Sequence, residues 1–290
     1  MTTVRKILRE YGVRPRKRLG QSFLEDKNII SKIVKAADIK DYDTVVEIGA
    51  GLGIMTELLA SSARKVIAID IDPRMINILQ ERFRERPRVS VINIDVLSYD
   101  FSSVVDEETQ DKIKVIGNIP YNISTQILFR LLEYRRQIHS MTLLFQKELA
   151  DRITASPGGK DYGIPSVIVS MYACASREMN VPPSCFYPRP MVISSLVKMV
   201  MLEKPLFEAV SDDFFLKVVK AAFSKRRKTL LNNLRSSDLL YGCSEDELAS
   251  LLAKIGIDGK RRGETLSVAE FARLSNAFFT AESPKFTPPS

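Results

Sequence analysis

Between Thr44 and Phe145, short apolar runs alternate with segments of helical periodicity. The apolar runs predict five strands, namely Thr44–Gly49, Lys65–Asp72, Val89–Asp95, Ile113–Gly117 and Met141–Phe145. The segments between them predict three helices, namely Ile54–Ala63, Pro73–Phe83 and Ser124–Tyr134, with Ser124 as an N-cap. Strands and helices that alternate at this spacing indicate an α/β fold with a mostly parallel sheet covered on both faces.

The pattern changes in the last third of the chain. Val192–Met201 still predicts a strand, but everything after Pro205 has helical periodicity only. The predicted helices are Asp213–Phe223, Arg227–Leu234, Glu245–Ile255 and Val268–Thr280. We therefore predict a first domain over residues 1–204 and a helical second domain over residues 205–290, with the boundary at Lys204–Pro205.

Charge and composition narrow the class of partner. The 290 residues include 43 Lys and Arg against 35 Asp and Glu, a net charge of +8. That balance favours a polyanionic partner, with nucleic acid ahead of an anionic membrane surface. Three widely spaced cysteines and a single histidine give no zinc-site pattern and favour a reducing compartment. The sequence has no apolar signal segment and no membrane-spanning stretch, so we expect a cytoplasmic protein without a metal.

A glycine-rich turn follows the first predicted strand. Glu47-Ile48-Gly49-Ala50-Gly51-Leu52-Gly53 lets the backbone turn tightly and approach a ligand at a helix N-terminus. Asp70 and Asp95 end the next two strands, where their carboxylates would share one crevice and suit the hydroxyls of a nucleoside. Such a turn can also be structural only, and each carboxylate can be a simple helix cap.

Two cofactors fit this crevice, a nicotinamide dinucleotide and S-adenosylmethionine. The dinucleotide fingerprint is G-x-G-x-x-G, whereas the third glycine here, Gly53, comes one position too early. The carboxylate of Glu47 suits a ligand with a cationic ammonium and sulfonium, and it would repel a pyrophosphate. These features favour S-adenosylmethionine.

The fourth predicted strand leads into Asn118-Ile119-Pro120-Tyr121. Methylation of an exocyclic amine requires hydrogen-bond acceptors for both N–H groups, and the Asn118 side-chain oxygen and the Ile119 carbonyl can supply them. Pro120 stiffens the turn, and Tyr121 offers a ring on which an extruded base can stack. Positioning does most of the work, so no strong general base is needed. The alternative is a proline turn with a buried tyrosine.

This tetrapeptide resembles the N-[LI]-P-[YF] motif of amino-methyltransferases that act on nucleic acid. More closely, the chain resembles the ribosomal RNA small subunit adenine dimethyltransferase family over nearly its whole length. The matching segments are Arg18–Leu24, Glu47–Gly53, Asn118–Ser124, Gln146–Glu148, Phe186–Pro190, Phe223–Leu230 and Arg262–Ser267.

The resemblance implies a Rossmann-like S-adenosylmethionine-dependent methyltransferase domain and a small all-helical C-terminal domain. It implies dimethylation of the N6 amines of two adjacent adenosines near the 3′ end of small-subunit rRNA, linked to ribosome biogenesis. The residues it places at the cofactor are Ser22, Leu24, Gly49, Asp70, Asp95 and Asn118, to which we add Gln21, Glu47 and Gly51. Where the family's loop usually reads G-Q-N-F-L, Ser22 takes the place of the asparagine.

Two basic clusters are candidate RNA contacts. Lys225, Arg226, Arg227 and Lys228 are consecutive, and on a predicted helix they would spread around its circumference. Arg16 and Arg18 precede the cofactor loop and could hold RNA at the mouth of the active site. A run of charges can also be only a solvated helix end. We expect the partner to be small-subunit rRNA within a partly assembled subunit, bound by a monomer.

Three other functions stay open on the sequence. An erythromycin-resistance-type methyltransferase shares the motifs but modifies large-subunit rRNA, and the segments Lys225–Leu230 and Arg262–Ser267 argue against it. A ribosome-assembly factor could keep the fold and bind RNA without catalysis. The intact residues Gly49, Asp70 and Asn118 argue against this, because they indicate that catalysis is retained. An NAD-dependent dehydrogenase is disfavoured by the glycine spacing.

Overall fold

The computed structural model describes residues 4–105, 111–237, 239 and 244–282, with side chains described to residue 280. The chain divides into two compact units. The first comprises Met1–Ala150 and Cys174–Glu203, and the second comprises Asp151–Ala173 and Lys204–Ser290. Within the described residues, no helix combines the length and the apolar character needed to cross a membrane.

The first unit contains a seven-stranded sheet with helices. Its strands along the chain are β2 (Thr44–Ile48), β3 (Lys65–Asp70), β4 (Val89–Asn93), β5 (Ile113–Asn118), β6 (Ile138–Gln146), β7 (Ala173–Val181) and β9 (Ser194–Met201). Two short strands, β1 (Phe23–Leu24) and β8 (Phe186–Tyr187), pair separately. The helices are α1 (Val4–Glu10), α2 (Lys27–Ala36), α3 (Ile54–Ser62), α4 (Pro73–Arg82), α5 (Ser124–Glu133) and the start of α6 (Lys147–Ile153).

The sheet order is β4-β3-β2-β5-β6-β9-β7. The pairs from β4 to β6 are parallel, and β9 joins β6 antiparallel. The strand order reverses at β2, because β3 lies on one side of it and β5 on the other. In open sheets of this kind the ligand crevice forms at the carboxyl ends of the strands beside such a reversal. The predicted α/β fold class, Rossmann-like with a helical C-terminal region, is confirmed.

Local chemistry explains where the elements begin and end. All five residues of β2 are buried, as expected for a central strand that is covered on both faces. The strand β3 ends at Asp70 rather than at the predicted Asp72, because the Asp72 carboxylate caps α4 by accepting a hydrogen bond from the backbone N–H of Arg74. The helix α2, which we did not predict, begins in the same way after Asp26, whose side chain accepts from two backbone N–H groups.

The second unit is helical. It contains α7 (Ile164–Tyr172), α8 (Asp212–Ala222), α9 (Leu230–Arg235), α10 (Glu245–Lys254) and α11 (Val268–Glu282). Its division from the first unit after Glu203 lies beside the predicted boundary, but residues 151–173, which we placed in the first domain, group with the second unit. The reason is α7, an almost wholly apolar and buried helix that packs on α8 and α11.

The basic run is not helical, contrary to our prediction. Helix α8 ends before Phe223, and α9 begins at Leu230 after its N-cap Thr229. The residues Lys225–Lys228 form the turn between the two helices, closed by a 3.0 Å hydrogen bond from the Lys228 backbone N–H to the Lys225 carbonyl. All four basic side chains are exposed.

Candidate active site

A single pocket at the carboxyl ends of β2, β3 and β5 brings the predicted site residues together. It is lined by every residue that we assigned to the cofactor or to catalysis. They are Gln21, Ser22, Leu24, Glu47, Gly49, Gly51, Asp70, Asp95, Asn118, Pro120 and Tyr121. Segments far apart in sequence therefore build one crevice at the position where open α/β sheets bind ligands.

The glycine loop forms one wall of the pocket. Gly49 and Gly51 have φ angles of +70° and +53°, a conformation that side chains rarely adopt. A Cβ atom at Gly51 would also lie 3.0 Å from the Phe23 ring. Both features keep the backbone open toward a ligand at the N-terminus of α3.

Glu47 lies beneath this loop and is buried. The Thr56 hydroxyl donates a 2.5 Å hydrogen bond to Glu47 Oε2. Burial raises the pKa of Glu47 to about 8, although the bond from Thr56 opposes the shift. A carboxyl group in this state favours a cationic ligand, because a positive charge nearby would stabilise the ionised form.

Asp70 holds the loop in place from the end of β3. Its Oδ2 accepts the Gly51 backbone N–H at 2.9 Å, and its Oδ1 accepts that of Asp72 at 2.9 Å. Burial raises the pKa of Asp70 to about 6 in spite of these bonds. Each carboxylate oxygen has a second lone pair, so Asp70 can still accept hydrogen bonds from ligand hydroxyls.

Asp95 follows the neighbouring strand, as predicted. Its Oδ1 accepts the backbone N–H of Leu97 at 3.0 Å and caps a short 3-10 turn. Ile71, Ile94 and Val96 add apolar surface to the pocket beside the two carboxylates. Apolar lining with a few fixed polar groups is typical of a site for an aromatic base and its sugar.

Asn118 is held in a defined orientation at the end of β5. Its Nδ2 donates a 2.7 Å hydrogen bond to the Ser22 carbonyl, which leaves Oδ1 as an acceptor. The Ile119 backbone N–H donates to the Leu144 carbonyl at 3.3 Å. In the described part of the chain, neither Asn118 Oδ1 nor the Ile119 carbonyl accepts a hydrogen bond from the protein.

Tyr121 is held in place at its phenol hydroxyl and at its backbone carbonyl. Its phenol hydroxyl makes a short hydrogen bond with the Ser194 hydroxyl on β9, and its carbonyl accepts a 3.0 Å bond from the Ser124 hydroxyl. Ser124 is thus the first residue of α5 and not its N-cap, which corrects our prediction. Burial raises the pKa of Tyr121, so its ring remains a neutral stacking surface.

Ser22 contributes through its backbone. Its carbonyl receives the bond from Asn118, whereas its hydroxyl donates to the Pro188 carbonyl at 2.8 Å. The shorter side chain at this position is therefore occupied by a contact to the β8–β9 connection.

Asp72 does not line the pocket, but it supports the site by bonding to the pocket residue Gln21, a role that sequence reasoning missed. Its carboxylate is buried and accepts hydrogen bonds from the Arg74 guanidinium and, at 2.9 Å, from Gln21 Nε2. Arg16 Nη1 lies 3.6 Å from the same carboxylate. Burial raises the pKa of Asp72, but the bonds from Arg74 and Gln21 outweigh it and lower the pKa to about 2. The only signal in the sequence was a second acid two positions after Asp70, which we assigned to the strand.

The candidate RNA-binding residues lie outside this pocket. Arg18 is exposed, whereas Arg16 is half-buried and paired with Asp72. In the second unit, Arg226 Nη2 donates to the Lys160 carbonyl at 2.9 Å, and Arg226 Nε lies 3.8 Å from Glu264. Among the described residues, no group of three His, Cys, Asp or Glu side chains is placed to hold a metal ion.

Comparisons with known proteins agree with this geometry. The model of the family described as ribosomal RNA adenine dimethylase matches residues 12–279. A protein of Syntrophus aciditrophicus named Ribosomal RNA small subunit methyltransferase A is 48% identical over 277 residues, 96% of this chain and 99% of that protein. The protein of the same name from Geobacter metallireducens is 42% identical, over 93% of this chain and 98% of its own length.

Solved structures share the fold. A dimethyladenosine transferase from Plasmodium falciparum superposes with a TM-score of 0.74 at 27% identity, covering 90% of this chain and 97% of that one. The 23S rRNA methyltransferase ErmE superposes with a TM-score of 0.65 at 24% identity, covering 89% and 99%, and supports the fold alone. On the family match and the identity to its curated relatives, the chain belongs to the ribosomal RNA adenine dimethylase family.

Proposed function

We propose that this protein transfers methyl groups from S-adenosylmethionine to the N6 amines of two adjacent adenosines near the 3′ end of small-subunit rRNA. The observation that carries the proposal is the pairing of Asn118 with Ser22, which turns Asn118 Oδ1 into an acceptor beside the Ile119 carbonyl. Two acceptors at one turn suit an amine with two N–H groups. The curated relatives named Ribosomal RNA small subunit methyltransferase A support the choice of small-subunit rRNA.

The pocket suits S-adenosylmethionine on its own chemistry. Buried Glu47 favours a cation, Asp70 keeps lone pairs for hydroxyls, and the glycine loop leaves its backbone accessible. Gln21, Leu24, Gly49, Gly51 and Asp95 complete the proposed cofactor site. When bound there, S-adenosylmethionine would supply a methyl group on an electron-poor sulfonium. No metal is needed for that chemistry.

The residues of the turn would orient the acceptor nucleoside. Asn118 Oδ1 and the Ile119 carbonyl accept the two amine hydrogens, so the nitrogen lone pair is directed out of conjugation with the ring. Pro120 fixes the turn, and Tyr121 presents its ring to an extruded adenine. Rate enhancement then comes from orientation rather than from a strong base.

The proposed RNA contacts are electrostatic. Exposed Arg18 and Lys225–Lys228, with Arg16 as a partly paired neighbour, would neutralise phosphates and position the substrate. We propose that the protein acts in the cytoplasm as a monomer on small-subunit rRNA within a partly assembled particle. The net charge of +8 supports a polyanionic partner.

Transfer of labelled methyl groups tests the proposal. The acceptors are undermethylated small subunits, large-subunit rRNA and buffer without RNA, and the variants are Asn118→Ala and the exposed control Asn122→Ala. We expect transfer to small subunits that Asn118→Ala abolishes and Asn122→Ala retains. Transfer only to large-subunit rRNA would assign the protein to the resistance type. RNA binding without transfer to any acceptor would make it an assembly factor.

A further inference from the structure

The connection from β8 to β9 carries an unusual exposed surface. Three consecutive large apolar side chains face solvent there, with Met191 100% exposed, Val192 41% and Ile193 45%. Single exposed apolar residues are ordinary, but contiguous ones mark contact sites. The predicted strand over Val192–Met201 would have placed two of these residues in the sheet, whereas β9 begins only at Ser194.

Both ends of this connection are bonded to walls of the pocket. The Pro188 carbonyl accepts the Ser22 hydroxyl at 2.8 Å, and the Ser194 hydroxyl bonds to Tyr121. The Ile193 carbonyl also accepts the Lys147 backbone N–H at 2.9 Å. Because Ser22 and Tyr121 line the pocket, the connection that carries the apolar side chains is bonded at both ends to the pocket walls.

The position and charge of this surface indicate what it contacts. Arg189, which is exposed, precedes the three apolar residues, so a cation suited to phosphate lies next to a surface suited to the face of a base. An enzyme that extrudes a base leaves the neighbouring base without its stacking partner. Proteins that distort nucleic acid commonly place apolar side chains against the bases that they unstack.

We propose that Met191, Val192 and Ile193 form an apolar platform that packs on the base next to the target adenosine in the rRNA substrate. Arg189 contacts the adjoining phosphate. The platform stabilises the extruded arrangement of the target, and the hydrogen bonds of the flanking residues Pro188 and Ser194 to Ser22 and Tyr121 keep it in register with the pocket. This inference rests on the proposed function, since it assumes that an rRNA adenosine enters the pocket.

The test is single-turnover methyl transfer to small subunits reconstituted with rRNA that is intact or abasic at the nucleotide that flanks the pair of target adenosines. The variants are Met191→Ser/Val192→Ser/Ile193→Ser, the conservative Met191→Leu, and the control Tyr42→Ser. Tyr42 is 66% exposed and lies just before the amino end of β2. The pocket lies at the other end of this strand. Binding of S-adenosylmethionine is measured on the same samples.

We expect the triple serine variant to lose about tenfold in rate on intact RNA, since partial burial of aliphatic side chains against a base contributes about that factor. Met191→Leu and Tyr42→Ser should keep the rate of the wild-type protein, and all variants should bind S-adenosylmethionine as it does. The abasic substrate should slow the wild-type protein about tenfold but should not slow the triple variant further.

Three results would overturn the inference while leaving the proposed function intact. They are an unchanged rate for the triple variant, losses that multiply on abasic RNA, and a loss explained by weaker S-adenosylmethionine binding. If the wild-type protein transfers no methyl group to any acceptor, the proposed function fails and the platform fails with it.

Discussion

Asn118 Nδ2 lies 2.7 Å from the Ser22 carbonyl oxygen, so a residue at the end of β5 is oriented by the backbone of the N-terminal segment. Of the two polar atoms of the Asn118 amide, only the nitrogen can donate to the Ser22 carbonyl. The bond therefore leaves the oxygen Oδ1 facing the pocket. The identity of the Ser22 side chain matters little to that arrangement, because its hydroxyl bonds to Pro188 instead.

The first prediction compares how much the side chains of Asn118 and Ser22 contribute to methyl transfer. Asn118→Asp cannot donate to the Ser22 carbonyl and would place a carboxylate against it. We expect a loss of about 100-fold in kcat/KM, comparable to the removal of a preorganised polar group from an active site. Ser22→Ala should cost less than about fivefold, because it removes an exposed hydrogen bond of about 1 kcal/mol. Steady-state methyl transfer measures both, and equal losses would contradict the assignment.

The second prediction concerns Asp72, where Arg74, Arg16 and Gln21 converge. Asp72→Asn leaves two arginines without their carboxylate and should lower the free energy of unfolding by about 2 kcal/mol at pH 7. The exposed Asp41→Asn serves as the control. The S-adenosylmethionine affinity should also fall, because the amide offers a single acceptor oxygen in place of the two that Arg74 and Gln21 share. Urea unfolding and calorimetry provide the two readouts.

The pH dependence of the Asp72 contribution has a definite sign. The native pKa is about 2, below the value of about 3.9 in an unfolded chain. The stabilisation is therefore complete above pH 4 and is lost as the pH falls toward 2. Urea midpoints of the wild-type protein and Asp72→Asn should converge at low pH. A gap that stays constant from pH 7 to pH 2.5 would assign the effect to packing alone.

The third prediction uses the raised pKa of Glu47. With a native pKa of about 8 and an unfolded value of about 4.3, the folded state binds the extra proton at neutral pH. The associated stability is present below pH 4 and is lost as the pH rises through 8. Between pH 6 and pH 8 the loss is about 2 kcal/mol, because each pH unit contributes about 1.4 kcal/mol while the protonation states differ.

Glu47→Gln should remove this slope, and the exposed control Glu85→Gln should retain it. The same variant should bind S-adenosylmethionine about tenfold more weakly, because an amide cannot ionise in response to the cationic ligand as Glu47 can. Thermal unfolding from pH 5 to pH 9 and calorimetric titration test the two parts. A variant that keeps the slope would show that another group carries it.

The fourth prediction distinguishes members of the basic turn. Arg227→Ala should reduce the slope of log affinity against log salt concentration for rRNA by about 0.7 to 1, with unchanged stability. Arg226→Ala should reduce the slope as well, but it should also lower the melting temperature, because Arg226 bonds to Lys160 and pairs with Glu264. The exposed Lys254 on α10 provides the control Lys254→Ala. If the two arginine variants show the same slope of log affinity against log salt concentration as Lys254→Ala, the turn is not part of the RNA interface.

The parts of the fold that follow from local pattern were predictable. The strands from β2 to β6 are rich in apolar and β-branched residues, and the glycines and carboxylates after them mark the carboxyl ends of the parallel strands. Helix α7 escaped prediction because its apolar sequence has no helical periodicity to distinguish a helix from a strand. Strand β7 escaped prediction because most of its residues are exposed, and most of those are polar.

The site shows the same division. Asn118, Asp70 and Gly51 were found because their motif combines unusual residue types at strand ends. The role of Asp72 depends on Gln21, which is 51 positions away in sequence, and the contact of Tyr121 with Ser194 spans 73. Pairings at such separations are set by tertiary packing, which no local pattern reports. The basic turn was misassigned because Thr229 caps α9, so the helix begins at Leu230, three residues later than the predicted Arg227.

The excursion of residues 151–173 limits how the gene can be dissected. A fragment that stops at Ala150 lacks β9 and leaves the long strand β6 as an unprotected edge, a template for aggregation. A fragment that stops at Lys204 restores the sheet, but it leaves the apolar helix α7 without its packing partners α8 and α11. During synthesis, the first unit is likewise incomplete until β9 has left the ribosome. The ligand site therefore forms late, even though most of the residues that line it are translated early.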